Sequence, residues 1–179
     1  FRDKQGIDLQ TGIEATAIDP AGRTVRTRDA AGREDRIRYD RLLIATGATP
    51  IKPDIPGIDL PGVMVLKSLA HGREMKAFIS REAVRRTVII GMGYIALEMC
   101  EALRERGIEV AMVKPRPVFL PWMEPRLAAE IKAELEAKGV GVHLGCAVER
   151  IEAADGGLAV IGRDLTLEAD LVLVAVGVT

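Results

Sequence analysis

Short β-branched apolar runs alternate along this chain with stretches in which apolar residues recur every three or four positions. That switching of period predicts an α/β protein. The sharpest switch lies at residues 87–98. Thr87-Val88-Ile89-Ile90 is an apolar run, Gly91-Met92-Gly93 breaks it, and Tyr94-Ile95-Ala96-Leu97-Glu98 opens a helix. Gly107 and the run 108–113 follow as a second strand, giving strand, turn, helix, strand. Residues 169–177 form another apolar run, read as one buried strand closing on Gly177. Residues 68–80 have the helical period, with Leu69, Met75 and Phe78 expected inside. A clearer helix covers 125–138, where Leu127, Ile131 and Leu135 recur at four-residue spacing and Gly139-Val140-Gly141 ends the pattern. Short strands follow at 142–144, 148–151 and 158–161.

The front of the chain has a different texture. Residues 13–18, 24–28 and 35–39 are short alternating runs separated by Asp19-Pro20-Ala21-Gly22 and Ala30-Ala31-Gly32-Arg33, an antiparallel meander with a solvated, charged face. The strand-like run 39–44 then ends in Ala45-Thr46-Gly47. Residues 50–62 hold Pro50, Pro53, Pro56 and Pro61 with Gly57 and Gly62, the densest cluster of chain breakers. A domain crossover is expected there, with residues 1–50 on one side and 51–179 on the other.

The spacing Gly91, Gly93, Ala96 carries chemistry. A first glycine permits the sharp turn out of the strand, and a second lets a pyrophosphate approach bare backbone. A small third residue lets the helix pack closely, and the free N–H groups of its first turn face the anion. Tyr94 and Ile95 open that helix. Glu98, expected on its first turn, shares a face with Tyr94; a carboxylate there also suits the helix dipole without any ligand. An NAD-specific domain places an acid about 20 residues past the glycines, at the ribose 2′-hydroxyl. Lys114 stands there instead, with Arg116 two residues on, and the next acid is Glu124. A 2′-phosphate would be attracted by that pair, so the lean is toward NADPH. Gly177, at the carboxyl end of its run, is a further cofactor candidate.

Composition narrows the partners. Lys and Arg number 25 against 26 Asp and Glu, so no global field draws nucleic acid or an anionic membrane. No apolar run approaches the ~20 residues a bilayer span needs. Three Phe, two Tyr and one Trp leave an aliphatic core. Cys100 and Cys146 have neither redox-pair nor metal spacing and are expected to be small buried hydrophobes, and His71 and His143 stand alone. A reducing, cytoplasmic compartment fits.

Three blocks in this order, Ala45-Thr46-Gly47, the glycine turn at 91–96 and the run ending at Gly177, resemble the flavin-dependent pyridine nucleotide-disulfide oxidoreductases. Residues 55–63 and Gly93-Tyr94-Ile95-Ala96-Leu97-Glu98-Met99 are most similar to the branch of NADH oxidases and coenzyme A-disulfide reductases. The resemblance implies a Rossmann-like βαβ nucleotide-binding domain over 51–179, preceded by a meander from a partial FAD domain over 1–50. It implies NAD(P)H as cofactor, with FAD in the full-length parent. Hydride would pass from NAD(P)H to FAD and on to a disulfide, persulfide, oxygen or redox partner. It makes Tyr94 a candidate cover for the nicotinamide, Glu98 a positioning group near flavin and nicotinamide, and Ala45, Thr46 and Gly47 flavin-side contacts. No N-terminal glycine-rich FAD motif or redox cysteine precedes these blocks. The expectation is therefore an internal fragment, inactive alone, of a parent that dimerises through a C-terminal domain. A nucleotide-sensing module without catalysis would share the glycine turn but has no use for Ala45-Thr46-Gly47. A methyltransferase-like domain would keep an acid where Lys114 stands.

Overall fold

The computed structural model describes residues 2–179. They form two compact units, one ending at Gly47 and the other Ala48–Thr179.

In the first unit a short helix α1 (Arg2–Gln5) precedes strands β1 (Ile13–Asp19), β2 (Thr24–Asp29) and β3 (Glu34–Arg38). They pair antiparallel in the order β1-β2-β3. Each turn is closed by a carboxylate: Asp19 accepts the Gly22 N–H, and Asp29 accepts those of Ala31 and Arg33. Asp and Asn favour such positions because the side chain mimics a backbone acceptor. The run 39–44 does not form the expected strand. Leu42, Leu43 and Ile44 are exposed, Leu43 by 87%. A strand needs a partner for its N–H and C=O groups, and no strand pairs with this run among the described residues.

The second unit is built on a parallel sheet in the order β4-β11-β5-β6-β7, from β4 (Val63–Val65), β11 (Leu171–Val174), β5 (Arg86–Ile90), β6 (Glu109–Lys114) and β7 (Gly141–Leu144). Helices α2 (Leu69–Arg81), α3 (Tyr94–Arg104) and α4 (Pro125–Ala137) connect successive strands β4, β5, β6 and β7. Between β7 and β11 the chain makes an antiparallel sheet of β8 (Val148–Ala154), β9 (Gly157–Gly162) and β10 (Leu165–Ala169). Strand alternation then sorts the layers. Ile89, Met112, Leu171 and Leu173 pack with Met75, Ala96, Cys100, Leu103 and Ala128 from the helices. Val88, Ile90, Val113, Val172 and Val174 point the other way, onto Ile151, Leu158 and Val160 of the antiparallel sheet. The central strands are buried on both faces, which explains why they are continuous apolar runs rather than alternating ones.

Two expected core positions are corrected. Leu69 is 81% exposed because Ser68 caps α2 through its side chain, making Leu69 the first helical residue on the outer side; Met75 is the buried one. Leu127 is 48% exposed, and Ala128 takes its place inside, while Ile131 and Leu135 are half-buried. Residues four apart advance about 40° around a helix, so three of them span about 80° and cannot all face one line.

The run 169–177 is also not one strand. It breaks at Asp170, which separates β10 from β11, and β11 ends at Val174. The Asp170 carboxylate accepts the backbone N–H groups of Arg85 and Arg86, both at 2.8 Å, and ion-pairs with Arg86, which also meets Glu168. This clamp ties the start of β11 to the start of β5. Burial raises the Asp170 pKa, but the two N–H groups and the Arg86 charge outweigh it and hold the carboxyl below its ordinary range. A folded-state pKa below the unfolded one means the clamp is fully stabilising above about pH 4 and is lost as pH falls through the folded value. Asp170→Asn should lower unfolding stability by about 1–3 kcal/mol near neutrality, since charged hydrogen bonds contribute that much. In urea titrations the difference from wild type should shrink as acid protonates the folded-state carboxyl, below the ordinary aspartate range; a difference independent of pH through full protonation would mean the charge is not what holds the clamp.

Candidate functional site

The sheet order places a topological switch beside β5. From β5 the chain goes through α3 to β6 on one side, while β11 arrives late to occupy the other. In open α/β sheets the crevice for ligands opens at such a switch, past the carboxyl ends of the strands. The Gly91-Met92-Gly93 turn lies there, between β5 and α3.

The two glycines are required for different reasons. Gly91 has φ +115°, and a Cβ built on it would sit 2.3 Å from the Ala175 carbonyl oxygen. Its N–H donates to Val113 O of β6 at 2.9 Å, while the Ala175 N–H donates to Ile90 O at 2.8 Å. Gly91 is thus demanded by the protein's own packing. Gly93 is the reverse: its φ is negative, and a Cβ there would meet no atom within 4 Å. Nothing in the chain needs a glycine at 93, so the open backbone faces space that a ligand can fill.

Helix capping marks the same place. Ser68 caps α2 and Glu124 caps α4, each by accepting a first-turn N–H. The N-cap of α3 is Gly93, with no side-chain cap and no acid in the first turn. Its first N–H groups have no intrahelical acceptors, and with the helix dipole they favour an anion. Ala96 is fully buried, which lets α3 pack closely on the sheet. Ile95 is exposed, and Tyr94 is 65% exposed with its ring 5.7 Å from that of Trp122. Glu98 is also exposed, but as the fifth residue of α3 it falls in the second turn rather than the first.

Lys114 ends β6 beside this crevice, yet it is not a free surface cation. Its Nζ donates to Val118 O at 2.9 Å and lies 5.9 Å from the centre of the Trp122 ring. Burial, then the Arg116 charge, push its pKa below the ordinary lysine range. Arg116 is exposed. Trp122 is the member of this group that sequence reasoning passed over; only its position in the loop after β6 could have signalled it. Gly177 lies past β11, where its carbonyl accepts the Ile51 N–H at 3.0 Å, and Pro50 bridges Val178. Ala45, Thr46 and Gly47 are exposed in the first unit.

Cys100 is buried on α3, and burial raises its thiol pKa, so it is no ready nucleophile. Cys146 is half-buried in the turn before β8, its Sγ 3.4 Å from Leu144 O. No group of three or more His, Cys, Asp or Glu among the described residues could hold a metal. Among those residues no helix is long and apolar enough to cross a membrane.

Comparison with known proteins agrees with the fold. An NADH oxidase of Methanocaldococcus jannaschii is 31% identical over 99% of this chain, which spans 40% of that protein. An NAD-dependent persulfide reductase from A. fulgidus superposes with a TM-score of 0.86 at 34% identity, over 99% of this chain and 33% of its own. An engineered water-forming NADPH oxidase bound to NADPH, a mutant of the Lactobacillus brevis NADH oxidase, gives 0.79 at 28% identity, over 93% and 37%. The chain spans about two-fifths of the length of the curated NADH oxidases it matches. Residues 2–179 match the pyridine nucleotide-disulphide oxidoreductases, and the chain belongs to that family.

Proposed function

We propose that residues 51–179 hold a nicotinamide dinucleotide as the hydride-supplying part of a flavoprotein oxidoreductase, with residues 1–50 a strip of its FAD domain. The observation that carries this reading is the open backbone at Gly93 next to the uncapped start of α3. The residues fit a pyrophosphate: bare N–H groups, a helix dipole and no competing carboxylate in the first turn. Tyr94 covers the nicotinamide end and Glu98 helps to position it. Gly177 and the flavin-side Ala45, Thr46 and Gly47 complete the contacts in the longer enzyme. When bound, the dinucleotide supplies hydride and FAD accepts it; the chain's share is binding, orientation and exclusion of water. The relatives above act on oxygen and on persulfide. The acceptor proposed for the parent is of that range: a disulfide, persulfide, oxygen or a redox partner. A cytoplasmic homodimer is the form proposed for it.

The lean to NADPH rests on Lys114 and Arg116 standing where NAD-specific domains carry an acid. The NADPH-bound relative supports the logic, since its five substitutions include the loss of an aspartate and the gain of two arginines.

The two glycines should separate cleanly on mutation. Gly93→Val should keep the circular dichroism spectrum and weaken dinucleotide binding roughly ten- to a hundredfold in calorimetric titration, as charged hydrogen bonds are lost. Gly91→Ala should instead destabilise the fold by about 2–4 kcal/mol, through the strained φ and the collision with Ala175. Unchanged affinity in a folded Gly93→Val protein would move the site elsewhere.

Lys114→Glu should weaken NADPH by roughly tenfold or more, because it removes an attraction and adds a repulsion, and leave NADH unchanged or improved. Added salt should erode the NADPH preference more than NADH binding. Tighter NADH than NADPH in the wild type at low salt, with a ratio that Lys114→Glu does not alter, would remove the basis for the preference.

Turnover is proposed for the longer enzyme only, so this 179-residue chain should purify colourless and without NAD(P)H-dependent reductase activity. A stoichiometric flavin absorbance spectrum in the purified chain would contradict that.

A further inference from the structure

The loop after β6 carries a chain of three side-chain contacts that a dinucleotide turn does not require. Tyr94, the first residue of α3, packs its ring against Trp122 at 5.7 Å and 51°. The Lys114 ammonium stands 5.9 Å from the same Trp122 ring and donates to Val118 O. Trp122 therefore bridges the start of α3 and the end of β6. Arg116, two residues after Lys114, is exposed; its backbone carbonyl accepts the Gly145 N–H at 3.3 Å, and its guanidinium has no hydrogen bond or ion pair among the described residues.

We infer that Trp122 is a specificity-determining residue: it holds the Lys114 ammonium against its ring and the Val118 carbonyl, so that Lys114 reaches an adenosine 2′-phosphate only by giving up those contacts, while Arg116 meets it freely. This rests on the dinucleotide reading above. A cation held on an aromatic face and a carbonyl must give up both contacts before it can serve a phosphate. A ligand with a 2′-hydroxyl asks nothing of that ammonium. The ring therefore penalises the phosphorylated ligand alone, and it narrows a preference that the two basic residues would otherwise make larger. The desolvation that lowers the Lys114 pKa agrees with an ammonium turned into the protein surface rather than out to water.

The test uses the 179-residue chain with two probes that need no flavin, adenosine 2′,5′-bisphosphate and 5′-AMP, measured by calorimetric titration. Trp122 is 51% exposed and belongs to neither core cluster, so substitutions there should leave a folded protein. Trp122→Leu should raise the preference for the bisphosphate about two- to fivefold, the strength of an exposed cation–π contact. Trp122→Phe, which keeps an aromatic face, should stay near the wild-type ratio. In a Lys114→Met background, Trp122→Leu should no longer move the ratio, which a merely structural role for the ring does not predict. A ratio unmoved or lowered by Trp122→Leu, or moved equally with and without Lys114, overturns the assignment of Trp122 while both probes still bind. A wild-type chain that binds neither probe overturns the dinucleotide reading itself, and this inference with it.

Discussion

The crossing of Gly91 over the Ala175 carbonyl is the contact on which the rest of the second unit depends. β5 and β11 are neighbours in the sheet, and the chain leaves β5 through a space too narrow for a β-carbon. Three strand ends are laced together there, because Gly91 donates to β6 while Ala175 donates back to β5. With that passage fixed, the chain must turn sharply, and α3 starts beside the switch point with its first N–H groups unanswered. Filling the gap at Gly91 would displace a backbone carbonyl, not a side chain, so relaxation is costly.

The polar clamp and the proposed ligand crevice occupy opposite ends of the same strands. At the amino ends, Asp170 collects two backbone N–H groups and Arg86 collects two carboxylates, a dense polar clamp with its partners satisfied. At the carboxyl ends the corresponding donors at the start of α3 are left free. Between them lie two aliphatic layers, helices on one face and the antiparallel sheet of β8, β9 and β10 on the other. The sheet layer does what a second layer of helices does in a doubly wound fold. It presents Ile151, Leu158 and Val160 to Val88, Val172 and Val174 and dries that face. The helical layer takes in Phe119 and the half-buried Phe78 and is otherwise aliphatic, in keeping with the scarcity of Phe, Tyr and Trp in the chain.

What could be seen in the sequence was whatever one local segment decides. Thr87-Val88-Ile89-Ile90 followed by Gly91-Met92-Gly93 announces strand and turn because both properties are written within seven residues. The meander of β1 to β3 was legible for the same reason, from its Asp- and Gly-marked turns. Where a distant partner decides, the sequence was silent or misleading. Residues 39–44 have the composition of a strand, but pairing is a property of two segments, and no second one is present among the described residues. The break at Asp170 is invisible in an apolar run until Arg85 and Arg86, some 85 residues away, supply the N–H groups. The three-residue β4 is too short to show a period, whereas β10, Leu165-Thr166-Leu167-Glu168-Ala169, alternates apolar and polar positions and carried a strand signal that was missed. At the site, the different burdens of Gly91 and Gly93 look identical as letters and separate only when their surroundings are known.

The same limit applies to charge. Lys114 and Arg116 read as a pair of equivalent cations, but their electrostatic availability differs because one lies against a ring and a carbonyl and the other faces water. A screened, hydrated guanidinium can move to a phosphate at small cost, whereas a partly desolvated ammonium must first lose partners. Counting basic residues after β6 therefore overstates the attraction that a 2′-phosphate would feel. On the dinucleotide reading proposed above, cofactor choice would rest on an aromatic ring and a backbone carbonyl as well as on charge, with the uncharged Trp122 among the residues that make it.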